Sequence, residues 1–340
     1  MSISSRKKWS LWFNVIKRNN SKNMKKKIGI VGLKKKELEK LKNKYRKCEF
    51  INISDKNFFN KKSLNINALL ILYEYPVKKN LSVFLSEKFK IFKYLEWVHL
   101  TRAGVDECES YLKNYYFTLT CGKKIQGPNV SEHCLAMLLS ISRGLFDQYN
   151  KQQYKNRPTE ILDKSIIIIG LGGIGIEIAK KLHSFGAKID SVDHSYTKKF
   201  FIRKNFKLNH LEKIIGNYDI VINSLPLTKI TKNFFNKKIF NQLKKFSMFI
   251  SVSRDQTINI NDFKKFIKTK KLFGAAIDNT GSFKMKKKVE YDSKYNVLIT
   301  DHLAGVTTDN SRRSKLLFDN IDAYIKGKKT NFLVSKQKGY

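Results

Sequence analysis

Short apolar runs alternate with polar, lysine-rich segments along most of the chain. Each run has four to seven residues, and the runs cover residues 27–32, 68–72, 95–101, 166–169, 188–192, 218–223, 248–252, 274–277 and 297–300. Runs of this length, bounded by glycine or polar residues, predict buried strands, and the segments between them are long enough for helices. Strands that alternate with helices predict an α/β protein with parallel, doubly wound sheets.

A break at residues 127–129 separates two series of strands, because glycine and proline interrupt regular structure. Asn129 is expected to cap a helix, and Glu132 three residues later completes a capping box. One face of this helix is apolar and suits either core packing or a subunit interface; it carries Leu135, Leu138, Leu139 and Ser142. A last helix at about residues 310–326 is expected to pack back on the first domain, which makes that domain discontinuous.

The net charge of +40 over 340 residues raises the question of a polyanionic partner. The lysines are scattered through nearly every segment and accompany no nucleic-acid-binding motif, whereas a binding stripe would concentrate them on one element. We therefore expect no specific nucleic-acid partner, only weak adhesion to polyanions at low salt. The hydrophobic fraction of 41% excludes a globally disordered chain.

Residues 1–23 form a basic segment without acidic side chains, in which Arg6, Lys7 and Lys8 precede Trp9 and Trp12. The pattern is typical of a disordered extension ahead of a second start at Met24, where a strand begins almost at once. A transit peptide or a basic helix at a membrane surface are the alternatives.

The cysteines indicate a reducing compartment. Cys48, Cys108, Cys121 and Cys134 form no CxxC pair and have no histidine at metal-ligand spacing. We therefore expect reduced thiols, no bound metal and a cytoplasmic location. No apolar run reaches 18 residues, so no membrane-spanning helix is expected.

A glycine-rich motif follows the run of isoleucines at residues 166–169 and opens a predicted helix. Gly170 permits the tight turn, Gly172 lets backbone approach a pyrophosphate, and Gly175 lets helix and strand pack closely. The helix N-terminus supplies free N–H groups and a positive dipole. The expected dinucleotide site comprises Gly170, Gly172, Gly173, Ile174 and Gly175.

Asp193 ends the next predicted strand, 23 residues after Gly170, where a carboxylate accepts hydrogen bonds from the adenosine ribose. Such a carboxylate repels a 2′-phosphate, so the expected cofactor is NAD rather than NADP. The nearby Lys198 and Lys199 leave NADP open as the alternative.

Five motifs, including the glycine-rich one, give the chain, from about Lys25 to Tyr340, a resemblance to the D-isomer-specific 2-hydroxyacid dehydrogenases. Residues 165–193 resemble the cofactor fingerprint of that family, residues 225–228 its "LPLT" loop, and residues 252–255 occupy the place of its "ARG" motif. Residues 274–278 resemble "GAALD" and residues 300–305 resemble "TPHIAG". The spacings between these motifs match without gaps, so the joint signal is stronger than any one piece.

The resemblance implies roles for specific residues. Arg254 would hold the carboxylate and carbonyl of a 2-oxo acid, and His302 would exchange a proton with the substrate oxygen. Asp278 is implied close to the nicotinamide. Backbone N–H groups of Ala103, Gly104 and Val105 would bind the substrate carboxylate, and Leu225 and Pro226 would lie beside the cofactor.

One departure from the family pattern affects the proton donor. The family has a glutamate five residues after its "LD" aspartate, and that carboxylate pairs with the histidine; here the position is Phe283. Without a carboxylate partner, His302 is expected to be a weaker proton donor at neutral pH. Glu290, Asp292 and Asp301 are the candidates to replace it.

The resemblance therefore implies an NAD-dependent oxidoreductase that transfers a hydride between nicotinamide and a small 2-oxo or 2-hydroxy acid of the glyoxylate or hydroxypyruvate type. The alternatives are a catalytically weakened NAD(H)-binding relative that acts as a sensor or partner protein, or a different Rossmann enzyme. The implied architecture has two doubly wound parallel-sheet domains and forms a homodimer. Residues 24–125 and 303–340 would form a discontinuous, flavodoxin-like substrate domain, and residues 126–302 the Rossmann-type NAD domain.

Overall fold

The computed structural model describes residues 25–335 except for 33–34, 54–64, 73–91, 106–115, 150–156, 196–197, 280, 282, 284–285 and 310. The basic segment at residues 1–23 lies outside the described residues. The chain divides into two compact units. The first comprises the described residues within 1–102, 107–121 and 317–334, and the second those within 103–106, 122–316 and 335–340.

The first unit is a five-stranded parallel sheet, as expected for a flavodoxin-like domain. Its strands are β1 (Lys26–Val31), β2 (Cys48–Ile53), β3 (Ala68–Ile71), β4 (Trp97–Leu100) and β5 (Thr118–Cys121), in the spatial order β2-β1-β3-β4-β5. Helix α1 (Lys35–Lys44) follows β1. The core contains buried side chains of β1 and β3 together with Leu317, Ile321 and Tyr324 from the last helix, so the end of the chain does return to this unit.

The second unit contains an eight-stranded sheet. Its strands are β6 (Ser165–Ile169), β7 (Lys188–Val192), β8 (Asn205–Phe206), β9 (Ile220–Asn223), β10 (Met248–Ser251), β11 (Gly274–Asn279), β12 (Val289–Asp292) and β13 (Val297–Asp301). The spatial order is β12-β13-β11-β10-β9-β6-β7-β8, and only the pair β12–β13 is antiparallel. The order β8-β7-β6-β9-β10-β11 is the Rossmann order, with its reversal between β6 and β9.

The other α-helices of the described residues are α2 (Gly127–Ser142), α3 (Leu145–Tyr149), α4 (Gly173–Ser184), α5 (Leu211–Ile214), α6 (Lys237–Asn241), α7 (Ile260–Ile267) and α8 (Ser311–Ile325). Two apolar clusters cover the two faces of the second sheet, because alternate residues of each strand point to opposite faces. Ile166 and Ile168 pack with α2 and α4, whereas Ile167 and Ile169 pack with α6 and α7. None of the helices in the described ranges has the length and hydropathy needed to cross a bilayer.

The N-cap of α2 and the division of the chain into units differ from the expectations. Helix α2 begins at Gly127 with Gln126 as its N-cap and proline in its first turn, so the prediction that Asn129 caps it is wrong. Its Leu135, Leu138 and Ser142 are buried in its own unit, so that face is core. The compact units divide the chain at 121/122 and 316/317, where 125/126 and 302/303 were expected as domain boundaries, and residues 103–106 also group with the second unit.

Candidate functional site

The motifs singled out in the sequence meet at one edge of the second sheet. Gly170 directly follows β6, Asp193 follows β7, Ser224 follows β9, and His302 follows β13. Asp278 lies near the end of β11, and Arg254 comes three residues after β10. All six strands are parallel, so these residues share the carboxyl edge, where open α/β sheets bind ligands. Strands β10 and β13 flank β11, which places their ends about 10 Å apart.

The glycine turn has the geometry that a dinucleotide requires. Gly170 has a φ of +94°, and a Cβ there would lie 2.8 Å from the carbonyl oxygen of Ser224, across the point where the strand order reverses. A Cβ on Gly175 would overlap the carbonyl oxygen of Gly170. A Cβ on Gly172 would meet no atom within 4 Å, so open space adjoins the N-cap of α4.

Helix α4 begins with Gly173 and Ile174, and its N-cap Gly172 has no side chain to accept a hydrogen bond. The first backbone N–H groups of a helix have no partner within the helix, so they are left to bind an anion here. Open space beside Gly172 and an uncapped helix end fit the pyrophosphate of a dinucleotide.

The Asp193 carboxylate is held against the glycine turn. Its Oδ2 accepts from the backbone N–H of Leu171 at 2.8 Å, and its Oδ1 accepts from the backbone N–H of Ser195 at 2.8 Å. His194 Nδ1 lies 3.6 Å from Oδ1. The amide of Asn205 donates to the backbone oxygen of Asp193 at 3.0 Å, so both the side chain and the backbone are fixed beside the turn.

A buried polar network holds the backbone around Arg254. Asn223, at the end of β9, donates to Ser251 Oγ at 3.1 Å and to Thr257 Oγ1 at 2.8 Å. Thr257 Oγ1 in turn donates to the backbone oxygen of Arg254 at 2.7 Å. The network ties the ends of β9 and β10 to the turn that carries the guanidinium.

The loop after β9 contains Leu225 and Pro226, the former buried and the latter exposed. The hydroxyl of Ser253 donates to the backbone oxygen of Leu225, and that of Thr231 donates to the backbone oxygen of Pro226 at 2.6 Å. These bonds fix the loop beside the glycine turn, because Ser224 also donates to the backbone oxygen of Gly170 at 2.6 Å.

Asp278 holds the turn that contains His302. Its Oδ1 accepts from the hydroxyl of Thr300 at 2.7 Å and from the backbone N–H of Leu303 at 2.8 Å, and its Oδ2 accepts from the backbone N–H of Ala304 at 3.2 Å. His302 has a φ of +53°, a conformation that a side chain rarely adopts unless its surroundings impose it. The ring of His302 is exposed.

Two residues of α2 also contact this turn, and sequence reasoning did not assign either of them to it. The amide of Asn129 donates to the backbone oxygen of Ala304 at 3.1 Å, and His133 Nε2 lies 3.0 Å from Thr300 Oγ1. Burial lowers the pKa of His133, and the Asp278 carboxylate 3.8 Å away opposes that shift. Their spacing of four residues on one helix is the only sequence signal that links them.

The side chain of Phe283 is buried in the apolar cluster on the α7 side of the sheet. Its ring contacts Phe263 edge-to-face, with the centroids 6.2 Å apart, and the ammonium group of Lys264 lies 5.8 Å from its centroid. Phe283 therefore fills a core position, and a glutamate at this position would enter an aromatic cluster.

The three acidic residues that could replace the missing glutamate have other partners. Glu290 accepts from the backbone N–H of Lys287 at 3.1 Å, and Asp292 accepts from that of Lys294 at 3.0 Å. Asp301 forms an ion pair with Lys288.

The substrate-binding turn implied by the resemblance groups with the second unit. Val105 is buried, whereas Ala103 and Gly104 are half-buried.

Comparison with known proteins shows the family. A model of the NAD-binding domain of D-isomer specific 2-hydroxyacid dehydrogenases matches residues 135–304, half of the chain. A glyoxylate reductase from Thermofilum pendens is 26% identical over 246 residues, which cover 68% of this chain and 72% of the relative. A glyoxylate reductase from Pyrococcus horikoshii is 27% identical over 190 residues, 52% of this chain and 53% of the relative.

Solved structures share the fold. A D-isomer specific 2-hydroxyacid dehydrogenase family protein from Aeromonas salmonicida matches with a TM-score of 0.73 and 20% identity, over 92% of this chain and 99% of that one. An NADPH-dependent glyoxylate/hydroxypyruvate reductase from Sinorhizobium meliloti, solved with NADP and sulfate, matches with a TM-score of 0.72 and 20% identity, over 93% and 100% of the two chains. Together with the family match, the glycine turn and the two-unit fold, these comparisons show that the chain is an oxidoreductase that belongs to the D-isomer specific 2-hydroxyacid dehydrogenase family.

Proposed function

We propose that this protein uses NAD to transfer a hydride to or from a small 2-oxo or 2-hydroxy acid of the glyoxylate or hydroxypyruvate type. The observation that carries the proposal is the shared carboxyl edge of β6, β7, β10, β11 and β13, which brings the glycine turn, a guanidinium, a carboxylate and an imidazole to one side of one sheet. The relatives named glyoxylate reductase favour the substrate class.

In this proposal the cofactor supplies the hydride, and the chain binds and orients it. The first N–H groups of α4 hold the pyrophosphate in the open space beside Gly172, and Asp193 accepts from the adenosine ribose hydroxyls. Asp278 lies near the end of β11 and bonds to Leu303, next to His302. The nicotinamide of the cofactor would lie at this part of the sheet edge.

The substrate groups follow from charge and hydrogen bonding. Arg254 binds the carboxylate of the 2-oxo acid with its planar guanidinium. His302 donates a proton to the carbonyl oxygen in reduction and accepts it from the hydroxyl in oxidation. Backbone N–H groups of Ala103, Gly104 and Val105 bind the carboxylate as well.

The decisive assay is oxidation of NADH with a panel of 2-oxo acids. We expect turnover of at least one small acid, complete loss of turnover in His302→Gln, and a raised KM for the acid in Arg254→Ala. Turnover unaffected by His302→Gln would show that another group donates the proton.

The buried position of Phe283 favours a second candidate, an NAD(H)-binding relative of low activity that acts as a sensor or partner protein. The family carboxylate, which favours the protonated imidazole, is replaced by a ring that is packed into the core. Tight NADH binding without turnover of any 2-oxo acid at any pH would support this candidate and exclude the first.

Cofactor choice is part of the proposal. The Asp193 carboxylate, fixed by Leu171 and Ser195, repels a 2′-phosphate, so NADH should bind at least ~10-fold more tightly than NADPH, a difference of about 1.4 kcal/mol. In calorimetric titrations of Asp193→Ala, the difference between the affinities for NADH and NADPH should be smaller. Equal affinities in the unmodified protein would contradict the assignment, and the relative solved with NADP makes this measurement necessary.

A homodimer and a cytoplasmic location complete the proposal. Leu145 and Tyr149 on helix α3 are 51% and 85% exposed, and exposed apolar side chains of this kind favour a subunit contact. Sedimentation should show a species near twice the 39.7 kDa of one chain. Cys48, Cys121 and Cys134 are buried free thiols, which supports a reducing compartment.

A further inference from the structure

Helix α2 contacts both ends of the turn that presents His302. Asn129 and His133 are four residues apart, so they lie one above the other on the same face of the helix. Asn129 reaches the backbone oxygen of Ala304, two residues after His302, and His133 reaches the hydroxyl of Thr300, two residues before it. A third contact joins the same two segments, because Gln126 lies against Gly305.

The two hydrogen bonds that link His133 to Asp278 through Thr300 each have a fixed donor and acceptor. A carboxylate only accepts hydrogen bonds, so the single proton of the Thr300 hydroxyl is donated to Asp278, across 2.7 Å. Thr300 Oγ1 can then only accept from His133, which fixes the proton of the neutral imidazole on Nε2, across 3.0 Å. His133 is therefore a donor whose loss leaves the Thr300 hydroxyl less firmly oriented.

The turn needs such support because of its backbone. His302 has a positive φ, and its ring is exposed, so the backbone of the turn sets where the ring can reach. Asp278 binds the two backbone N–H groups that follow His302, while the Asp278 carboxylate is itself oriented by Thr300. Removing the donor on α2 would loosen the carboxylate first and the turn second.

We propose that Asn129 and His133 are positioning residues for His302: one hydrogen-bonds the backbone after it and the other orients the Thr300–Asp278 pair that holds it. The inference rests on the proposed role of His302 as proton donor. It assigns α2 a task in catalysis beyond its packing in the core.

The test uses the full chain with NADH and glyoxylate. His133→Leu removes the donor, and Thr300→Val removes the hydroxyl at nearly constant volume. Each should lower kcat about 10-fold with less than about a two-fold change in KM for NADH, since a small misplacement of a reacting group slows the chemical step. The double variant should be no slower than the worse single variant, because both break the same chain of hydrogen bonds.

Two conservative variants and one control separate positioning from general destabilisation. His133→Gln keeps a side-chain N–H and Thr300→Ser keeps the hydroxyl, so each should retain kcat within about three-fold of the unmodified protein. Ser142→Ala removes a buried hydroxyl of α2 that, among the described residues, donates to the backbone oxygen of Leu139 in the same helix, and it should leave kcat unchanged. Unchanged kcat in both His133→Leu and Thr300→Val would overturn the proposal.

A second readout does not depend on turnover. The ring resonance of His302, assigned by its loss in His302→Gln, should shift in His133→Leu and in Asn129→Asp but stay in place in Ser142→Ala. If no 2-oxo acid is reduced, the proposed function fails, and this spectrum still decides whether α2 holds the turn. A His302 resonance that stays in place in both variants would refute the positioning role.

Discussion

Lowering the pH from about 7.5 to about 5 should destabilise the first unit through His99 on β4. The side chain is fully buried, and its Nδ1 lies 2.8 Å from Thr120 Oγ1. Trp97 Nε1 also donates to that oxygen at 2.8 Å, so the proton of the Thr120 hydroxyl is available to His99. The same hydroxyl donates to the backbone oxygen of Val98 at 3.4 Å, so His99 Nδ1 can donate to Thr120 or accept from it, and protonation places a second N–H on a ring that is fully buried.

The size of the destabilisation follows from the pKa of His99 in the folded protein and in the unfolded chain. Burial lowers the pKa of His99 to about 4 in the folded protein, against about 6.5 in the unfolded chain. Because the folded pKa is the lower one, the stabilisation is complete above about pH 6.5 and is lost as the pH falls towards 4. The whole shift in pKa corresponds to about 3 kcal/mol, of which about 2 kcal/mol is lost at pH 5.

The assay is urea unfolding at the two pH values, followed by the fluorescence of Trp97, which is buried beside His99. His99→Asn is the matched control, since its side-chain amide can donate to Thr120 or accept from it and does not titrate. The free energy of unfolding should fall by about 2 kcal/mol more in the unmodified protein than in His99→Asn. The same pH dependence in both proteins would refute the reasoning.

Three further predictions address the candidate site. Gly175→Ala should lower the free energy of unfolding in urea by about 2 kcal/mol, because the added Cβ would overlap the carbonyl oxygen of Gly170. Gly172→Ala should keep the free energy of unfolding of the unmodified protein, but calorimetry should show that it binds NADH about 10-fold more weakly. Phe283→Glu should lower the free energy of unfolding in urea by about 3 kcal/mol and Phe283→Leu by about 1 kcal/mol, because residue 283 is packed among aromatic rings. Phe283→Glu should not raise the rate of 2-oxo acid reduction at neutral pH, and a higher rate would show that the glutamate reaches His302. With a net charge of +40, kcat/KM for an anionic 2-oxo acid should fall several-fold when the salt concentration rises about ten-fold, and a salt-independent value would exclude electrostatic steering.

The strands that the sequence did not predict are the four sheet edges, β2, β5, β8 and β12. A central strand is covered on both faces and therefore forms a continuous apolar run, as at residues 166–169. Strand β2 alternates buried and exposed residues, β12 exposes or half-buries all of its residues, and β8 has only two. These three edge strands therefore lack a continuous apolar run, whereas β5 buries three of its four residues but is not a continuous apolar run because two of the four are threonines.

In the candidate site, the features made by neighbouring residues were predictable from the sequence, and those made by distant contacts were not. The glycine turn was predictable because its strand, turn and helix lie within a few residues of one another. Asn129 was expected to serve its own helix, yet its side chain bonds to Ala304, 175 residues away. The ring of Phe283 packs against Phe263, 20 residues earlier in the chain, and no local pattern indicates that contact either.

The bonds from Asp278 to Leu303 and Ala304 have a consequence for how the enzyme can change. They hold the turn of His302, the proposed proton donor, through groups that are all outside the loop following β11, whereas the family pattern has in that loop the carboxylate that pairs with the histidine. In the proposed function, the position of the imidazole and its electrostatic surroundings are thus governed by separate segments of the chain. A substitution in the loop after β11 can therefore alter those surroundings without breaking the backbone contacts that hold the turn.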